Sequence, residues 1–328
     1  MRKILVVTCS YDRTVDYIMT KYKSDFEFFR FNVDRFAEYK IVISESYWEI
    51  SQGSYTINQE EVLSIYYRKP AFPDTHDFDM EFRRLIHSDI LSVVEGIVNS
   101  FNGIVLTKPC ILRKTENKIF QLLYAQNNKI LMSNSFIGNN IGFNQIDNPR
   151  IIMPISIGKI LKDGEVSIIQ TNIMHENDQY DDLGLTPIYV QKYVKKKYEV
   201  RLTVAGDDFY AVKIVSDNSV DWRDGDKNTY ELIETPPEIK KTIRKLLFDF
   251  NLQFGAIDYI VDPDDNWFFL EINPNGQWQW LESALNLTIS ESIRKEHISM
   301  IYDKYYARLS GFETSAGILE KRLSAVSY

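Results

Sequence analysis

Short apolar runs separated by polar breaks open the chain. Ile4–Val7 and Phe26–Phe31 are compact apolar or aromatic runs, the second alternating in character, and Val62–Tyr67 is a third; all read as strands. Ile41–Ile43, Trp48–Ile50 and Tyr55–Ile57 are briefer β segments, with Gly53 turning the last pair. Phe78, Phe82, Leu85, Ile86, Val93, Val94 and Ile97 then recur at helical spacing over about six turns. The alternation predicts an N-terminal α/β domain over residues 1–110. No GxGxxG turn follows the first strand, so it carries no dinucleotide fingerprint.

A helix is predicted from about Arg113 through Leu123. After an Asn-rich polar stretch, Ile151–Leu161 and Glu165–Met174 form a strand pair about Lys162-Asp163-Gly164, where Asp-Gly is a strong hairpin signal. With the acidic, loop-like Glu176–Gly184 these make a central unit, 111–186. Pro187–Val194, Tyr198–Val204 and Phe209–Val215 predict three further strands, Gly206 turning the last two. Thr235-Pro236-Pro237 opens a helix, threonine as hydroxyl cap and proline where a missing N–H is harmless. The strands Phe254–Val261 and Trp267–Ile272 belong to a third unit, 187–310, before a polar tail, 311–328.

Composition limits the partners. The 328 residues are 44% hydrophobic and 26% charged, an ordinary globular balance, with 20 Tyr and 19 Phe. A net charge of -8 argues against a nucleic-acid partner, which normally leaves a basic footprint. Basic residues gather only locally, over Lys192–Lys197 and Arg223–Lys227, where they offer a grip on phosphate or a solvated face. No stretch reaches the roughly 20 apolar residues that span a bilayer, so no membrane partner is expected. The start resembles a signal peptide, but its apolar core ends at Val7 and reads better as a buried strand. Cys9 and Cys110 form neither a disulfide framework nor a zinc cluster, and a reducing cytoplasm is the expected location.

The chemistry concentrates near the C-terminal strands. A four-residue loop, Pro263–Asn266, would set Asp258 directly opposite Glu271, with Asn273 on the same face. Two facing carboxylates in apolar strands repel and resist desolvation, and a divalent cation relieves both. Oxygen-only ligands suit Mg2+, which shares its remaining positions with water and substrate phosphates. Phosphates also need cations on rigid elements. Lys159 precedes the Asp163-Gly164 turn, Arg201 projects with Glu199 from one strand, and Lys118 lies early in the helix after residue 113. Gln191-Lys192-Tyr193-Val194 runs into a loop whose backbone amides could read an adenine edge.

Gly255-Ala-Ile-Asp with Glu271-Ile-Asn-Pro-Asn-Gly276 resembles the metal-binding signature of ATP-grasp ligases. The chain is similar, more narrowly, to the macrocyclases that build graspetides, microviridin-like peptides with side-chain ester or amide crosslinks. The matching pieces are Val-Thr-Cys-Ser at the start, Phe-Arg-Phe-Asn-Val-Asp-Arg-Phe at 29–36, Tyr67-Arg68-Lys69, Asn117-Lys118 with Gln121-Leu122, Glu199-Val-Arg201, Asp221-Trp222-Arg223 and the terminal hairpin. They run in order over residues 1 to about 282.

The resemblance implies an ATP-grasp fold behind an N-terminal α/β pre-ATP-grasp domain. It implies that Asp258, Glu271 and Asn273 hold two Mg2+ ions and that Lys118 and Lys159 contact the nucleotide phosphates, with Arg201 near the γ-phosphate. Backbone around Tyr193 and Val194, beside Gln191, would receive adenine, and Glu199 completes the nucleotide set. A precursor peptide, leader plus acidic and Thr-rich core, would dock near the hairpin before Asp221, and Arg68 and Arg223 would grip its acidic side chain. The expected activity is ATP-dependent phosphorylation of an Asp or Glu side chain, followed by attack of a Thr or Ser hydroxyl or a Lys amine. The hairpin Lys162–Gly164 would close as a lid against water. Alternatives are an ATP-grasp ligase adding free amino acids to a peptide or protein, and a non-catalytic ATP-binding scaffold. The helix over 78–98 offers a surface for a homodimer.

Overall fold

A computed structural model describes residues 3–296, apart from 141, 143–144, 157–158, 163–164, 169–170, 176–177, 179–183, 219–221 and 223–226; backbone alone is described at 159–162 and 165–168. No described helix is long and apolar enough to cross a membrane.

The first strands are buried on alternate sides. β1 (Lys3–Thr8) lies parallel between β2 (Glu27–Asn32) and β6 (Val62–Tyr67), and β7 (Ile104–Leu106) extends β6. Leu5 and Val7 enter one core and Ile4 and Val6 another, as the two-residue period of a strand requires. The first core is closed by the antiparallel meander β3 (Lys40–Ile43), β4 (Trp48–Gln52) and β5 (Tyr55–Asn58) and by helix α2 (Met80–Ser100). The second holds helix α1 (Arg13–Lys21), which starts where Asp12 accepts the backbone N–H groups of Thr14 and Val15. Val94, Ile97 and Val98 anchor α2, but Phe78, Phe82 and Leu85 are exposed, so its predicted apolar stripe is only half used within this chain.

The helix expected from Arg113 is two helices. α3 (Pro109–Thr115) stops, and Asn117 caps α4 (Lys118–Asn127) by accepting from Ile119 and Phe120. The two predicted strands that follow are also divided. β9 (Arg150–Met153) and β12 (Asn172–Met174) pair within a sheet of order β12–β9–β13–β8, with β8 spanning Ser135–Gly138 and β13 Ile188–Lys192. β10 (Lys159–Lys162) and β11 (Glu165–Ile168) form a separate ribbon whose register brackets 163 and 164. The expected turn itself lies outside the described residues. β13 thus pairs within the central sheet, and residues 193–197 connect it to the next strand.

The last sheet runs β16–β15–β14–β17–β18. β14 (Tyr198–Ala205), β15 (Asp208–Ser216) and β16 (Asn228–Ile233) form a meander, and β17 (Phe254–Val261) and β18 (Trp267–Asn273) complete it. Val200, Leu202 and Val204 of β14 pack with α5 (Pro237–Asp249). Glu199 and Arg201 alternate with them onto the opposite face, the one turned toward the N-terminal sheet. The cap of α5 is Pro236 without a side-chain bond, not the expected Thr235 hydroxyl. α6 (Gln279–Leu285) follows β18.

Candidate active site

Asp258 does face Glu271, by a route other than the expected one. The loop is Asp262–Asn266, one residue longer than predicted, because Val261 pairs with Trp267. Uncorrected, that register would set Asp258 against Leu270. Instead Tyr259 pairs with Phe269 and Asp258 with Glu271, leaving Leu270 as the extra residue of a β-bulge. The bulge also explains how Phe269 and Glu271, two apart, part company. Phe269 joins the buried core with Tyr259, while Glu271 turns to the face of Asp258.

Arg201 extends the row across a third strand, directly opposite Asp258 on β14. Its Nη1 donates to both Asp258 oxygens, at 2.8 and 2.6 Å, with both residues less than a tenth exposed. The Asn273 amide donates to Asp258 at 3.3 Å and to Glu271 at 3.1 Å. Lys118, brought round by the break before α4, places Nζ 3.6 Å from Glu271 and donates to the Pro154 carbonyl at 3.3 Å. Glu199, two residues before Arg201, pairs with Lys196, both largely buried.

Protein cations and an amide thus balance the two carboxylates. Among the described residues, no three His, Cys, Asp or Glu side chains cluster at metal-ligand spacing, and the oxygens gathered here are two carboxylates and an amide. A half-turn of the Asn273 amide exchanges its donor for its acceptor. This sparse, oxygen-only set fits Mg2+ that keeps water and phosphate in its other positions.

Two expected residues are engaged within the chain. Arg68 is 1% exposed, and its guanidinium is already engaged. It donates to Thr14 Oγ1, Asn275 Oδ1, the Gly276 carbonyl and Gln277 Oε1, and Nε lies 3.3 Å from Asp12. It ties the end of β6 to the turn after β18. The Tyr193 N–H donates to the Pro149 carbonyl at 2.8 Å. Gln191 is buried near the end of β13, its amide donating to Ser135 and Tyr189 hydroxyls, and Val194 lies in the connection to β14. Lys159 opens β10, with its side chain undescribed, and Asp221 and Arg223 lie outside the described residues. Trp222 between them stacks on Trp280 of α6, ring centroids 5.4 Å apart.

Other contributors carried no assigned role in the sequence. The Gln121 amide bonds the Ile272 backbone in both directions, between Glu271 and Asn273. Gly276 leaves room for Arg201, since a Cβ there would stand 2.8 Å from Nη2 and 2.5 Å from the Ala256 Cβ. Its signal was the glycine ending Asn-Pro-Asn-Gly. Lys69, beside Arg68, has a left-handed backbone and a depressed ammonium; only its place before Pro70 hinted at a special conformation.

Solved structures match nearly the whole chain. The fold is the ATP-grasp fold, in the form taken by ligases and macrocyclases solved with peptides. The Chryseobacterium gregarium RiPP-associated ATP-grasp ligase, in complex with ADP and a leader and core peptide, is 27% identical at a TM-score of 0.82, over 91% of this chain and 97% of its own. The macrocyclase MdnC of Microcystis aeruginosa MRC, bound with precursor peptide MdnA, is 24% identical at 0.82, over 90% and 99%. The ATP-grasp ligase PsnB, complexed with a minimal precursor, is 18% identical at 0.75, over 92% and 100%. No description of a known family matches the chain, and no curated protein does.

Proposed function

We propose that this protein is an ATP-dependent peptide ligase that closes side-chain rings in a ribosomally made precursor peptide, as ω-esters or ω-amides. The observation that carries the reading is the row Arg201–Asp258–Glu271, built by a bulge, in a fold matched over 91% of the chain by a ligase solved with ADP and a leader and core peptide.

ATP is the phosphoryl donor. A carboxylate oxygen of a peptide Asp or Glu bonds to the γ-phosphorus as the bond to the β–γ bridging oxygen breaks, and ADP leaves. A Thr or Ser hydroxyl, or a Lys amine, of the same peptide then bonds to the acyl carbon. The acyl C–O bond to phosphate breaks, and the attacking group loses its proton as phosphate departs. Mg2+, one ion or two, held by Asp258, Glu271 and Asn273, supplies charge neutralisation at the phosphates when bound. Lys118 and Arg201 add positive charge on rigid elements, Lys159 is assigned to the phosphates, and Arg223 to the peptide's acidic side chain. Gln191, Val194, the Tyr193 carbonyl and Glu199 are assigned to the nucleoside. The exposed Phe78, Phe82 and Leu85 at the start of α2 support pairing of two copies as a homodimer.

The test is incubation with ATP, Mg2+ and a Thr/Glu-rich precursor peptide. Loss of one water mass per ring, with ADP release, is expected. A mass gain equal to an amino acid would transfer the protein to the ligases that add free amino acids. No ADP release with any peptide would leave a scaffold.

A further inference from the structure

The N-terminal sheet has a switch point of its own. From β1 the chain moves to β2 on one side, and from β6 to β7 on the other, so the carboxyl ends of β1 and β6 flank a crevice. The stretch after β2 shapes one wall: Asp34 accepts from the Ser10 N–H at 2.7 Å and hydroxyl at 2.5 Å, and Arg30 donates to the Cys9 carbonyl. Arg68 and Lys69 leave β6 at the other wall.

Arg68 closes the crevice's floor against the 275–277 turn, and Arg201 meets the same turn at the Gln277 carbonyl, 3.4 Å away. Lys69 takes no part in this network. Its backbone is left-handed, φ +44°, which costs a non-glycine residue about 1 kcal/mol or more and is held only where surroundings enforce it. The residue is exposed although protein packs round its ammonium, and among the described residues no carboxylate stands within the 4 Å of an ion pair. Arg68 has Asp12 and Arg201 has Asp258, whereas Lys69 feels both arginines and only the more distant Asp12 and Glu116. Crowding by protein and then the Arg68 and Arg201 charges push its ammonium down to about 8, against the pull of Asp12 and Glu116. A carboxylate arriving here would supply the missing partner.

We propose that Lys69 is the residue that receives the peptide carboxylate to be activated, holding it at the carboxyl ends of β1 and β6 beside Arg201. The role expected of Arg68 thereby passes to its neighbour. This rests on the peptide-ligase reading above.

Its test is kcat/KM for a Thr/Glu-rich precursor peptide, measured from pH 6 to 10 in wild type, Lys69→Arg and Lys69→Gly. Glycine relieves the left-handed backbone, so Lys69→Gly keeps or raises the unfolding midpoint while kcat/KM for the peptide falls roughly 10- to 100-fold, the worth of a bond to a charged group. KM for ATP stays unchanged. In wild type kcat/KM declines as pH rises through about 8, where Lys69 loses its charge. Lys69→Arg recovers kcat/KM relative to Lys69→Gly and lacks that decline. Active wild type with an equally active Lys69→Gly variant, or the same decline in Lys69→Arg, would overturn the assignment and leave the ligase reading intact. A wild type that consumes no ATP with the peptide overturns both.

Discussion

The side-chain amide of Gln121 pairs with the peptide group of Ile272 as a neighbouring strand would. Nε2 donates to the Ile272 carbonyl at 2.9 Å, and Oε1 accepts its N–H at 2.9 Å. β18 is the edge of its sheet, and edges leave backbone groups unpaired. Here the edge is closed between Glu271 and Asn273, so one glutamine fixes the backbone carrying two of the three candidate ligands. Replacing Gln121 by Met leaves a buried peptide group unpaired, worth about 1–3 kcal/mol. Urea unfolding should show that loss, and the Mg2+ concentration needed for half-maximal ADP release should rise. An unchanged Mg2+ requirement would mean that Glu271 and Asn273 hold their places without it.

How much of this was legible depends on the length scale. Compact, mostly apolar strands such as Val62–Tyr67 and Phe254–Val261 emerge at their predicted limits, because a short apolar run between polar breaks defines a buried strand. The facing of Asp258 and Glu271 was also foreseen, but on a four-residue loop that does not exist. Two departures, a longer loop and the bulge at Leu270, cancel. The spacing of Phe269 and Ile272, three apart on one buried face, was the available trace. Arg68 shows what a sequence does not carry. Its position beside the site was readable, but Thr14, Asn275 and Gln277, which bond its guanidinium, reach it from distant sequence.

Substitutions in the carboxylate row should separate stability from activity. Asp258 is buried against Arg201, and removing one partner of a buried pair strands the other charge, at about 3–5 kcal/mol. Asp258→Ala should therefore unfold earlier as well as lose turnover. Glu271 and Lys118 are each a quarter exposed and 3.6 Å apart, a contact worth about 0–1 kcal/mol. Glu271→Gln should melt close to wild type and yet release no ADP with peptide present. If its turnover were undiminished, the metal assignment would fail.

Gly276 is predicted to be irreplaceable for steric reasons. An added Cβ meets the Ala256 Cβ at 2.5 Å and Asn273 Cβ at 3.2 Å, both fixed to backbone, so the turn rather than a flexible tip must move. Overpacking of this kind costs about 1–3 kcal/mol. Because the same Cβ meets Arg201 Nη2 at 2.8 Å, Gly276→Ala should also weaken the grip on Asp258. Thermal unfolding and ADP release should fall together, and full activity in Gly276→Ala would show that the turn has slack.

Acid should release the clasp between the N-terminal domain and α6. Glu282 is buried there and accepts from Tyr17 at 2.6 Å, Lys21 at 2.8 Å, and the N–H and hydroxyl of Ser290 at 2.6 Å each. Burial alone would raise its carboxyl, but the bonds from Lys21, Ser290 and Tyr17 outweigh that and hold it below the ordinary glutamate range. A carboxylate with a depressed folded-state value stabilises fully above its unfolded value, near 4.5, and loses that contribution as pH falls through the folded one. Lys21 is raised by the same contacts, so its share disappears only in strong alkali. Between those limits the clasp is pH-independent. Glu282→Gln should lower stability at pH 7 and flatten the acid limb of the unfolding midpoint, measured between pH 3 and 6. Equal acid sensitivity in wild type and variant would assign that limb to other carboxylates.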